Sequence, residues 1–139
     1  MELHQKVHHG FASILDLAPT FYELAKVSYP QTYQGDTIYP LKGSSLFPFV
    51  SGKTDKIHDS TYVFALEHYG NAMLRKGNWK ITNFKKPFEI ENFALYDLSK
   101  DMGEQTDLKE SNKEKYEELL MEWRKFSEEV KIQTPPPSM

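Results

Sequence analysis

The chain has 139 residues, 39% hydrophobic and 27% charged, with a net charge of −3. This is the composition of one modest domain with a real core. The near-balanced charge argues against a general nucleic-acid or anionic-membrane surface, which needs a concentrated basic stripe. The absence of cysteine excludes a thiolate metal site and a disulfide framework. No apolar run approaches the roughly 18–20 residues that span a bilayer. The opening MELHQKVHHG lacks the apolar region of a signal peptide.

Residues 1–10 are polar and read as a frayed arm, or as a strand cut from its sheet; His4, His8 and His9 are too scattered for a tag. From Phe11 the pattern changes. Ile14, Leu15, Leu17, Ala18, Phe21, Leu24 and Ala25 recur at three- and four-residue spacing, which predicts an amphipathic helix. Asp16 fits its N-cap, Pro19 fits its first turn, and it fades near Val27. Ser28 to Lys42 is rich in Tyr, Pro and Gly and reads as an ordered surface loop. Ser44 to Val50 reads as a short helical turn ended by Ser51-Gly52.

Strand signals follow. Thr61 to Leu66 is β-branched and aromatic. Asn71 to Arg75 and Trp79 to Phe84 flank Lys76-Gly77-Asn78, which predicts a hairpin. Lys85 to Asn92 is a longer connection whose Lys85-Lys86 reads as solvated, and Phe93 to Leu98 supplies a fourth strand. A closing helix is predicted from Asn112 to Val130, with Ser111 and Glu114 as a capping box. Tyr116, Leu119, Leu120, Trp123, Phe126 and Val130 form its apolar stripe. Pro135-Pro136-Pro137 reads as a loose tail. The predicted class is α+β: a four-stranded antiparallel sheet packed against the long C-terminal helix, with an additional N-terminal helix. The expected divisions are 1–55 (arm, helix and linker), 56–134 (sheet plus helix) and 135–139 (tail).

Four segments carry a resemblance. Phe11 to Thr20 reads FASILDLAPT, and Gly43 to Leu46 reads GSSL. Glu67 to Phe84 reads EHYGNAMLRKGNWKITNF, and Phe93 to Leu108 reads FALYDLSKDMGEQTDL. In this order they resemble the closing part of the type I sulfatases, the arylsulfatase-like branch of the alkaline-phosphatase superfamily. That family shows a "DlaPT" segment, "G.SL", a "GN.A.R.GdWK" hairpin, then "LYDL..D.gE..DL" and a last helix. The match covers about residues 8 to 132. The chain departs from the pattern at Ala25-Lys26, where Ala-Gly is usual, and at Met73, where Arg is common.

The resemblance implies that the chain is the C-terminal subdomain of a longer sulfuric ester hydrolase, its last quarter to third. In the parent, the N-terminal helix would pack on the catalytic domain. The family's formylglycine arises from a Cys or Ser in C/S-x-P-x-R, a motif that does not occur here. The formylglycine, its Arg, the Ca²⁺ or Mg²⁺ ligands and the catalytic Lys and His are implied to lie upstream of "DlaPT". No catalytic or metal residue is therefore carried over, and the chain alone is expected to be inactive. Asp97, Asp101, Glu104 and Asp107 do not have EF-hand spacing and read as a solvated turn before the last helix. Ser13, Asp16 and His9 form a countable Ser/His/Asp set, but Ser13 lacks a nucleophile-elbow context.

The resemblance places His8, His9, His68 and Asn71 near the rim of the parent's cleft, with His68 and Asn71 reaching the substrate's leaving group. The alternative is that Glu67-His68 caps a strand end and Asn71 supports its turn. Trp79 and Trp123 are expected in the core rather than on a sugar-stacking surface. The implied partner is the N-terminal catalytic domain, with homodimerisation through Phe11 to Val27 as a consequence of losing it. The parent is implied to be periplasmic or secreted. Two other readings are a stand-alone interaction or glycan-binding module and the tail of a phosphonate- or phosphodiester-cleaving relative.

Overall fold

The structure, a computed structural model, describes His8 and residues 10–132. The chain divides between Asp59 and Ser60 into two compact units.

In the first unit a 3-10 turn, Ile14–Asp16, runs into helix α1, Leu17–Ala25. Pro19 sits within α1's first turn, where a missing N–H removes no helical bond. The helix ends at Lys26, whose backbone is left-handed at φ 55°. The loop after it contains a small hairpin, β1 (Thr32–Tyr33) with β2 (Asp36–Thr37), turned by Gln34 and Gly35 at positive φ. The sequence reading had only a loop here, because two-residue strands carry no periodicity. Helix α2 is a single turn, Phe47–Val50, with Pro48 near its start.

The second unit is a meander: β3 (Val63–His68), β4 (Asn71–Lys76), β5 (Trp79–Asn83) and β6 (Ala94–Asp97), each antiparallel to the next. Helix α3, Lys113–Glu129, follows. The architecture is α+β, as expected. Register sorts the side chains into two faces. Ala65, Leu74, Ile81 and Leu95 lie across one face, and Leu74, Ile81 and Leu95 are fully buried. Leu119, Leu120 and Trp123 of α3 close this core. Trp123 packs its ring against Phe93 at 5.2 Å and against Phe126 at 5.6 Å. Each fully buried side chain of this size contributes about 1.5–3 kcal/mol of transfer free energy. Trp79 is partly buried against the same core.

Two details of α3 correct the sequence reading. Asn112, not Ser111, stands at the N-cap, and no side chain caps the helix. The Ser111 hydroxyl instead donates to Leu108 O within the preceding turn, so the capping box does not form. Val130 lies at the C-cap and is 51% exposed, outside the apolar stripe.

Candidate functional site

Asp16 organises the first unit. Its side chain is fully buried. Ser13 N–H donates to Oδ2 at 2.7 Å, and Ser44 N–H donates to Oδ1 at 2.9 Å. His58 Nε2 lies 2.9 Å from the same Oδ1. Burial pushes the carboxyl upward, but the Ser13 and Ser44 amides and His58 outweigh it and hold the group below its ordinary value. Asp16 stands at the N-cap position of α1, yet its side chain makes no capping bond to that helix. Its ligands are the 3-10 turn before α1 and a loop far along the chain.

Thr20 completes the clamp. Its hydroxyl donates to Asp16 O at 2.6 Å and accepts Leu46 N–H at 2.8 Å. The D-x-x-x-T and G-S-S-L segments are thus two halves of one hydrogen-bonded joint. Gly43 explains the glycine of the second half: a Cβ there would stand 2.2 Å from Leu15 O, so any side chain would push Ser44 away from Asp16. His58, which no sequence signal singled out, closes the joint from the end of the unit. Ser13 Oγ accepts Leu15 N–H as a cap, a structural rather than nucleophilic setting. His8 is exposed in this unit, its ring 4.9 Å from Phe49. His9 lies outside the described residues.

His68 and Asn71 come together in the second unit. They are the last register pair of β3 and β4, and both project from the face opposite the α3 core. The turn between them is Tyr69-Gly70, with φ 51° and 75°. Both central residues have the positive φ of a type I′ hairpin turn. Glu67 fixes it: Oε1 accepts Gly70 N–H at 2.7 Å. Tyr69 is therefore a bulky residue held left-handed, where glycine or asparagine is usual. It is 81% exposed, and its ring meets that of His68 edge-on at 4.5 Å. Ala72 pairs with Asn83, the last residue of β5, and Phe84 directly follows it. Phe84 is 65% exposed. Lys85 and Lys86 follow it, also exposed. Asn83 anchors this corner: buried, it donates to Glu89 O at 2.7 Å and accepts Lys85 N–H at 3.1 Å.

The four acidic residues from Asp97, the last of β6, to Asp107 are all engaged. Asp97 accepts Ser99 N–H and Oγ–H, and the Ser99 bonds hold its carboxyl below the usual range. Asp101 accepts Gln105 N–H and Thr106 N–H. Glu104 pairs with Lys80 at 2.5 Å. Asp107 accepts Leu95 N–H and Lys109 N–H, while Leu108 N–H donates to Leu95 O. This last pairing covers the outer edge of β6, which would otherwise expose unpaired backbone groups. The turn is thus an edge cap held by its own hydrogen bonds, and Met102, Gly103 and Gln105 to Asp107 are exposed, as a solvated turn requires. No three His, Asp or Glu side chains converge in a cation-binding group among the described residues. Two depressions flank α3, of about 450 and 410 Å³, one lined by Trp79 and Ser111 to Lys115, the other by Ile90, Tyr116 and Arg124. Neither involves His68 or Asn71.

The two units are thus a hairpin sheet backed by one helix and a clamped helix–loop joint. The family model for N-sulphoglucosamine sulphohydrolase, C-terminal, matches residues 3–133, and the chain belongs to that family. An uncharacterized sulfatase of Schizosaccharomyces pombe is 33% identical over 128 residues, covering 91% of this chain and 23% of that protein. Among solved structures, Ps i-CgsB in complex with k-i-k-neocarrahexaose aligns with a TM-score of 0.61 at 22% identity, over 85% of this chain and 24% of that one. BT4656, in complex with its substrate D-glucosamine-2-N,6-O-disulfate, aligns with a TM-score of 0.55 at 21% identity, over 84% and 24%. At these identities the structural matches speak to the fold. The chain spans about a quarter of the length of these relatives.

Proposed function

We propose that this chain is the structural and cleft-shaping subdomain of an arylsulfatase-type sulfuric ester hydrolase. The observation that carries the reading is the extent of the match: nearly the whole chain, against about a quarter of each relative. The catalytic work belongs to a separate portion that supplies the formylglycine and the Ca²⁺ or Mg²⁺ ligands. The residues described here do not fit such a cation, because the carboxylates from Asp97 to Asp107 already hold backbone N–H groups or lysines. No step of sulfate-ester hydrolysis is therefore assigned to them.

This chain's contribution is positional. The Asp16 joint locks α1 to the loop at Gly43. The Glu67-braced turn carries His68, Tyr69 and Asn71 outward from the sheet, as a rim residue set requires. His68 is the group proposed to meet the leaving-group oxygen, with Asn71 beside it. A glycan-binding role is the second reading, favoured by the exposed Tyr69 and Phe84 at the same corner. It is compatible with the first if the glycan is the substrate.

The test is turnover of 4-nitrophenyl sulfate by the purified chain, with Ca²⁺ or with Mg²⁺. No hydrolysis is expected, and the reading frame upstream is expected to encode C/S-x-P-x-R. Turnover that survives re-purification, or an upstream frame without the motif, overturns the reading.

A further inference from the structure

No further inference is drawn: the strongest candidate, the outer edge of β3 (Val63–His68) at the end of the four-stranded sheet, carries nothing, because nothing in the structure shows what covers it.

Discussion

At the scale of single residues, Asp16 shows how a motif can be visible while its purpose is not. Its place before an amphipathic run fits an N-cap, and a local reading stops there. Its real donors are the amides of Ser13 and Ser44, the second 28 residues away, with His58 against the same oxygen. No spacing rule encodes that convergence. Asp16→Asn would set an amide NH₂ against groups that are themselves donors, leaving buried N–H unsatisfied. The expected loss is about 2–4 kcal/mol. The sign of the pH effect follows from the lowered folded pKa: Asp16's contribution is fully present above the unfolded value near 3.8 and is lost as pH falls through the lower folded value. Urea unfolding at neutral pH and below pH 4 checks both points. The native chain should lose more stability on acidification than Asp16→Asn; parallel losses would show that Asp16 is not the titrating group.

At the scale of elements, both longer helices were legible because each has a period, and the four strands because β-branched and aromatic runs are bounded by turn residues. The three- and four-residue repeat placed Leu119, Leu120 and Trp123 on the buried face of α3, whereas the burial of Leu74 and Ile81 emerges only from the sheet register. Element ends were less legible, since they depend on backbone conformation. The start of α3 is set by the turn around Leu108, not by the capping box that the letters suggest. The end of α1 is the instructive case. The type I sulfatase pattern that the chain resembles implies glycine where this chain has Lys26, and here that residue is left-handed, with its N–H donating to Glu23 O and Val27 N–H to Tyr22 O. Glycine adopts this cap without the Cβ penalty. Lys26→Gly is therefore expected to stabilise the chain by about 0.5–1 kcal/mol, after allowing for the added entropy of the unfolded state. That corresponds to a rise of about 2–6 °C in calorimetric melting temperature. An unchanged or lowered melting temperature would show that Lys26 is held by something other than backbone geometry.

At the scale of the whole molecule, the two units differ in how well they satisfy their own apolar surface. The sheet unit buries Phe93, Leu95 and Leu119 completely. The α1 unit does not: Ile14 is 79% exposed, Phe21 63%, Leu24 55% and Val27 58%, and Leu17 is 41% exposed on the same stripe. Ile14, Leu17, Phe21 and Leu24 recur at alternating three- and four-residue spacing, the pattern of a helix seam with a partner. In a longer sulfatase that partner would be the catalytic portion. For the chain alone, a second copy offers the same apolar chemistry, and water is the costlier alternative at about 25 cal/mol per Å². The 139-residue chain is therefore expected to self-associate as its concentration rises, visible as a growing sedimentation coefficient in velocity runs. Phe21→Glu with Leu24→Glu should return it to monomer with an unchanged far-ultraviolet circular dichroism spectrum, because neither side chain supports the Asp16 joint. A native chain that stays monomeric at high concentration would mean that this stripe is tolerated in water, and α1 would then lose its standing as an unpartnered face.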